Sequence, residues 1–361
     1  MKNVAFITHS LDRAGSETSL LGLSKILNNY NQIVISAKDG PMRFFFDELC
    51  IPVIICKRSK YLNIYLIFKL FFIYKKYKTQ IVHLNTATSY NKYAAIAAYL
   101  CNLPIIWHIH EDIGAKGPRK LIPWIRFFST KIIPVSQEIA ANLQLKENDS
   151  RLKVLHNTID TNLQSKREGF LKNKLGLKNN AILIGGVGSI EPRKGIEDLI
   201  QAVSMLNTEG NKINIVWIGK DRNLDQSYRQ QIQKLAEHLG ISSNLYLIGD
   251  ISDTLRHYPE FDFFVLPSKW EGCSRVLLEA MLHGCPIISS DAGGNTEVIS
   301  DGITGYIYPT GNIKELANSI NRMIQNPEAG VKLGIAARNI LCEKFNFENY
   351  SNDIISIYKK L

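Results

Sequence analysis

The sequence predicts an α/β protein built from two doubly wound parallel sheets, and three observations carry that prediction. Short apolar runs alternate with helical periodicity along the whole chain, the pattern of strand-helix-strand units. The alternation runs through twice, interrupted by a polar, lysine-rich stretch over 166–180. The length of 361 residues exceeds what one hydrophobic core comfortably organises and suits two domains.

In the first half, Val4 to Ile7 reads as a strand, followed by the glycine-containing turn HSLDRAGSET. A helix is expected from about Thr18, with Leu20, Leu23, Ile26 and Leu27 on one face. Further strands are expected at Ile33–Ile35, Val53–Ile55, Ile81–Leu84, Ile105–Trp107 and Ile132–Val135, which completes a Rossmann-like domain over 1–165. The connection between domains is placed near Gln164–Glu168, and the polar segment after it opens the second domain, 166–344. There the strands are expected at Ala181–Val187, Ile213–Ile218, Leu245–Ile248, Phe261–Leu266 and Pro286–Ser289. Three helices follow from Gly311 to Leu361.

Composition narrows the class. With 45% hydrophobic and 21% charged residues the chain is ordinary for a soluble globular protein. Six scattered cysteines form no CxxC pair, so neither a disulfide framework nor a zinc site is indicated, which fits a reducing, cytoplasmic setting. The apolar run at the start stops at Thr8, far short of a signal-peptide core. Tyr61 to Tyr74 is broken by Lys69 and falls short of the ~20 residues of a membrane span.

The net charge of +10 points to an anionic partner. Nucleic acid is set aside, since the chain carries no recognisable nucleic-acid module. Lys69, Lys75, Lys76 and Lys78 lie beside Phe68, Phe71, Phe72 and Tyr74 on one expected helix. Two readings stay open for this Lys69–Lys78 region: peripheral contact with an anionic membrane, or aromatics packed on the sheet with solvated lysines.

The chemistry concentrates between Pro267 and Gly305. The strand Phe261–Leu266 ends at Pro267, and Ser274 is expected to cap a helix carrying Leu277, Leu278, Met281 and Leu282. Glu271 then lies in the loop and Glu279 inside the helix. In an open parallel sheet ligands bind beyond the carboxyl ends of the strands, so the free amides after Gly272 and the helix start suit a phosphate. The flanking carboxylates suit sugar hydroxyls. A second loop, Gly188-Ser-Ile-Glu-Pro-Arg-Lys-Gly195, brings Lys194 to a helix entrance as a phosphate counter-ion. Gly185, Gly186 and Gly188 superficially suggest a dinucleotide fingerprint, but Glu191 stands where its third glycine belongs, so a nicotinamide cofactor is not expected.

Glu271-Gly272, the seven-residue spacing to Glu279-Ala280-Met281, Gly284-Cys285-Pro286, Gly293-Gly294 and Glu297 through Gly305 together resemble the donor-site signature of retaining glycosyltransferases of family 4. The resemblance covers essentially the whole chain. It implies the GT-B fold, two Rossmann-like domains facing across a cleft, with the last helix, about 345–361, packing back on the first domain. It implies that Glu271 holds hydroxyls of the transferred sugar and Glu279 the ribose, while Lys194 and the segment Gly272, Ser274, Arg275 and Val276 meet the diphosphate. Gly15 and Ser16 match the first-domain loop near the donor, and His110 matches the histidine beside the transferred sugar.

His108 reads as a satisfied core histidine and Glu111 as a loop charge. Three positions depart from the family pattern: Ala14 and Thr158 replace glycines, and Ser189 replaces an arginine. Arg275 is expected to supply the missing cation, with Arg193 directed to solvent. The resemblance further implies retention of anomeric configuration, no metal and no cofactor beyond the nucleotide sugar (UDP- or GDP-linked). It also implies a glycan or lipid-linked acceptor, with surface polysaccharide assembly at the inner face of the membrane as the setting. The rival readings are a nucleotide-sugar epimerase or phosphorylase on the same architecture, and a non-catalytic carbohydrate- or partner-binding protein.

Overall fold

A computed structural model describes residues 1–57, 63–113, 118–146, 148–163, 170–178, 180–207, 213–223, 225–251 and 253–361. The connection expected at Gln164–Glu168 lies outside the described residues. The chain divides into two compact units, Met1–Asn157 with Glu348–Leu361, and Thr158–Phe347.

The first unit carries β1 (Asn3–Thr8), β2 (Asn31–Ser36), β3 (Val53–Ile55), β4 (Ile81–Leu84), β5 (Ile105–Ile109) and β6 (Lys131–Pro134). All pair in parallel in the order β3-β2-β1-β4-β5-β6. The second unit carries β7 (Ile182–Val187), β8 (Ile213–Ile218), β9 (Leu245–Gly249), β10 (Phe263–Leu266), β11 (Ile287–Ser290) and β12 (Tyr306–Tyr308), in the order β12-β11-β10-β7-β8-β9. Each order is that of a doubly wound nucleotide-binding sheet. Each reverses direction at one point, between β1 and β4 in the first unit and between β7 and β10 in the second. The central strands are apolar throughout because helices cover both faces, as in β8 and β10, where every residue is buried.

In the first unit Phe6, Leu20, Leu23, Val34, Ile106 and Ile133 form the core with Ile354, Ile357 and Tyr358 of the last helix, Phe347–Lys359. Burying each such side chain stabilises by roughly 1.5–3 kcal/mol. The Tyr358 hydroxyl lies 2.7 Å from His83 Nδ1, in the middle of that core.

One local expectation is revised, one strand is added, and one helix proves two-faced. The first helix runs Gly15–Ile26 rather than from Thr18. The Thr18 hydroxyl donates back to Ala14 O (3.0 Å), a bond of helix interiors and not of caps. The strand β12 escaped notice because three residues at a sheet edge carry little periodicity. Finally, the helix Asn63–Lys76 divides its apolar residues. Leu66, Leu70 and Tyr74 are buried, whereas Ile64, Tyr65, Phe68 and Phe72 are exposed beside Lys69, Lys75 and Lys76.

Candidate functional site

The switch point of the second sheet places two loops side by side, 188–195 after β7 and 267–274 after β10. A backbone bond joins them, Lys269 N donating to Arg193 O at 2.8 Å. Between them lies an ion cluster. Lys194 Nζ donates to Glu271 Oε1 at 2.6 Å, and Ser268 Oγ donates to the same oxygen at 2.6 Å. Lys194 and Glu271 are each only 7% exposed.

Burial alone would raise the Glu271 carboxyl. Lys194, Arg193 and the two short hydrogen bonds outweigh it and hold the group below its ordinary value. The backbone beneath is equally tight, since Gly294 N donates to Glu271 O at 3.1 Å. Gly293 adopts φ +60°, and a Cβ there would stand 1.8 Å from Glu271 O.

Arg193 corrects one expectation. Instead of pointing away, its Nη1 donates to Glu271 Oε2 (3.3 Å) and Trp270 O (3.0 Å), and its Nη2 to Glu191 Oε1 (3.1 Å). Glu191 from its own loop and the Trp270 carbonyl from the other hold this orientation, with the Glu271 carboxylate as a longer third contact.

The helix Arg275–Leu282 starts after Ser274, whose backbone is extended as in an N-cap but whose hydroxyl makes no capping bond. Gly272, Cys273 and Ser274 are buried, Val276 and Arg275 half-buried. Arg275 Nη1 donates to Thr158 O (3.2 Å), so this guanidinium is anchored on the Glu279 side of the site. Glu279 Oε2 accepts from the Tyr258 hydroxyl at 2.8 Å. Burial raises the Glu279 carboxyl above its ordinary value, while Arg275 and the Tyr258 bond pull the other way. Nothing in the sequence marked Tyr258 or Ser268, which reach the glutamates only through the fold.

The other residues singled out from the sequence, Gly15, Ser16 and His110, lie in the first unit, at the carboxyl ends of its strands. Gly15 opens the helix after β1, and Ser16 Oγ donates to the fully buried Glu17 (2.7 Å), which also accepts from Thr8 Oγ1 (3.0 Å). His110 follows β5, its ring 4.2 Å from that of His108. Two readings made from the sequence are revised here. Among the described residues neither ring nitrogen of buried His108 has a hydrogen-bond partner, and burial pushes its pKa down to about 3, so it is a neutral, unsatisfied histidine. Glu111 is half-buried and no loose loop charge. Its carboxylate accepts from Ala87 N at 2.9 Å, and burial, with Glu17 nearby, raises its pKa to about 7.

Two Rossmann-like units, one presenting paired carboxylates and basic side chains at its switch point, define a glycosyltransferase of the GT-B type. Residues 14–163 match the model of Glycosyltransferase Family 4, and residues 168–340 that of Glycosyl transferases group 1. The chain belongs to glycosyltransferase family 4. It is 26% identical to the capsular polysaccharide biosynthesis glycosyltransferase CapM of Staphylococcus aureus, over 99% of this chain and 97% of that one. It is likewise 26% identical to the UDP-Gal:alpha-D-GlcNAc-diphosphoundecaprenol alpha-1,3-galactosyltransferase of Escherichia coli, over 89% and 84%. In fold it is similar to Anabaena Alr3699/HepE, solved in complex with UDP-glucose, with a TM-score of 0.91, 22% identity and full coverage of both chains.

Proposed function

We propose that this chain transfers a sugar, with retention, from a UDP-sugar to a glycan or lipid-linked acceptor in surface polysaccharide biosynthesis. The observation that carries the reading is the Lys194–Glu271 pair at the β7/β10 switch point, where a cation and a sugar-binding carboxylate meet beside uncapped helix amides. The named activity of the Escherichia coli relative and the UDP-glucose complex of the Anabaena protein support the choice of UDP. Bond breaking at the anomeric carbon develops an oxocarbenium-like sugar and negative charge on the departing diphosphate. Lys194 and the amides from Gly272 to Val276 take up that charge, Glu271 orients the sugar and Glu279 the ribose. Gly15, Ser16 and His110 are assigned to the donor and to the sugar being moved on the family resemblance alone.

Because side-chain cations supply the charge relief, no metal ion or further cofactor is invoked, and the rate should be unchanged in EDTA. Departure and attack occur on one face of the sugar within an ion pair. A covalent sugar adduct trapped on Glu271 would contradict that step. A thermal-shift screen of UDP-, GDP- and ADP-sugars tests the reading, with Glu279→Ala as control. Saturating the right donor at about 100 times Kd should stabilise by ~2.7 kcal/mol. A flat response to all three sinks the proposal. Release of an altered sugar without acceptor would favour an epimerase, and binding without turnover on any acceptor a non-catalytic protein.

Glu279 gives the donor affinity a pH dependence. Only the ionised carboxylate accepts from two ribose hydroxyls, so affinity falls as pH drops through its raised pKa. Tyr258→Phe removes one of the interactions that lower that pKa. The acid limb of UDP binding should therefore move to higher pH in this variant, as calorimetry across about pH 5–8 would record. A limb that stays in place would mean that Glu279 does not hold the nucleotide.

The outer face of Asn63–Lys76 is proposed to rest on an anionic membrane, at the inner face where lipid-linked acceptors would be met. Exposed Ile64, Tyr65, Phe68 and Phe72 alternate with lysines there, and from Leu49 to His110 the sequence has no Asp or Glu. Among the described residues no helix is long and apolar enough to cross a membrane. The chain should co-sediment with phosphatidylglycerol vesicles and not with phosphatidylcholine, and a Phe68→Ser/Phe72→Ser variant should remain in the supernatant. Equal partition of both proteins would dismiss this contact.

A further inference from the structure

We propose that Arg193, held by Glu191 and Ser189, is the second cation of the donor loop and takes the phosphate farther from the ribose. This rests on the nucleotide-sugar reading above and assigns a part of the site that Lys194 alone leaves undercharged. Lys194 is buried and bonded to Glu271 at 2.6 Å, so Glu271 offsets part of the charge that Lys194 can offer a diphosphate. Arg193 stands beside it under different conditions. Its side chain is 41% exposed against 9% for Lys194, so it is the cation that an arriving anion can touch.

The guanidinium is oriented without help from the ligand. Nη2 is drawn to Glu191 Oε1 (3.1 Å), and the same oxygen accepts from Ser189 Oγ (2.6 Å), while Trp270 O fixes Nη1 (3.0 Å). The guanidinium's reach to Glu271 Oε2, 3.3 Å, is the longest of its three contacts, and Glu271 is already held by Lys194 and Ser268 at 2.6 Å. That contact is the exchangeable one. When sugar hydroxyls engage Glu271, the Nη1 hydrogen directed at it is freed for the phosphate while the other stays on Trp270 O, and the second hydrogen of Nη2 lets the guanidinium fork meet two phosphate oxygens.

Ser189 thereby gains a role: it steadies Glu191, and Glu191 in turn aims Arg193. Glu191 is itself held below its ordinary value, by Ser189, Arg193 and Arg222 against the effect of burial, so it stays ionised as a tether at neutral pH. Arg275, the other guanidinium near the site, is turned to Thr158 O and Glu279 and belongs to the ribose side.

Calorimetry with UDP and UMP separates the possibilities, because UMP lacks the phosphate in question. Wild type, Arg193→Gln, Arg193→Lys, Glu191→Gln and Arg275→Gln are titrated with both. Arg193→Gln should weaken UDP by roughly ten- to hundredfold, the range of a charged hydrogen bond, and leave UMP unchanged. Arg193→Lys should fall between, keeping charge without the fork, and Glu191→Gln should lose part of the preference for UDP. Equal losses for UDP and UMP in Arg193→Gln, or none, would overturn the assignment, as would loss of the UDP preference in Arg275→Gln alone. A wild-type protein that binds neither nucleotide would overturn the donor reading along with it, whereas the former outcomes leave that reading standing.

Discussion

Lys194→Ala is expected to lower sugar transfer by roughly 10²–10³-fold, the loss typical when one preorganised group facing developing charge is removed. The same substitution acts on stability, because Glu271 then stays buried without its nearest cation. Breaking a buried pair from one side destabilises by about 3–5 kcal/mol. Arg193 and Ser268 still contact the carboxylate, so the lower end of that range is expected.

The sign with pH follows from the direction of the shift. A depressed carboxyl contributes stability above its unfolded pKa, and that contribution is lost as pH falls through the lower folded value. In Lys194→Ala the largest lowering influence is gone, so the acid-side loss should begin at higher pH than in wild type. Glu271→Gln combined with Lys194→Ala should be less damaging to Tm than the two single effects added, since the double variant buries no orphaned charge. Strict additivity in that cycle would mean that the pair is not coupled in solution.

The second large effect is expected at Gly293. Alanine there must place its Cβ 1.8 Å from Glu271 O, with the rest of the Glu271 backbone at 2.8–3.0 Å, and must also hold φ +60°. The cluster cannot yield without displacing the carboxylate that it positions. Gly302 is the internal control: its φ is +68°, and a Cβ would meet nothing within 4 Å. Left-handed backbone strain by itself amounts to roughly 1–2 kcal/mol for a non-glycine residue. Gly302→Ala should therefore lose about that much stability and keep full UDP affinity. Gly293→Ala should lose more, together with UDP-sugar binding. If the two variants behave alike, the close approach at Gly293 is relieved by relaxation and the loop is softer than its geometry implies.

Much of the architecture was legible in the sequence because parallel strands buried on both faces must be nearly continuous apolar runs. The runs Val53–Ile55, Ile81–Leu84 and Ile213–Ile218 are strands with those bounds. The meeting of Lys194 with Glu271, 77 positions apart, also follows from topology, since both loops leave the carboxyl ends of paired strands at a switch point. Side-chain direction was less accessible. Arg193 looked solvent-directed beside Lys194, yet Glu191 in its own loop and the Trp270 carbonyl from a distant one hold it inward, with the Glu271 carboxylate as a longer contact. Tyr258 carries no local signal because its value lies in one hydroxyl reaching Glu279. His108 appeared satisfied because a histidine inside an apolar strand usually is. Whether it finds a partner depends on neighbours that alternation does not reveal.

The return of the last helix to the first unit has a consequence for biosynthesis. Residues 158–347 form one uninterrupted compact unit, whereas the first unit is assembled from two separate pieces of chain. The amino-terminal half, although translated first, waits for Ile354, Ile357 and Tyr358 to emerge before its core and the Tyr358–His83 bond can close. The second unit is thus inserted between the two pieces of the first, and a chain cut before Ile354 would leave the first core without Ile354, Ile357 and Tyr358, exposed to chaperones and proteases.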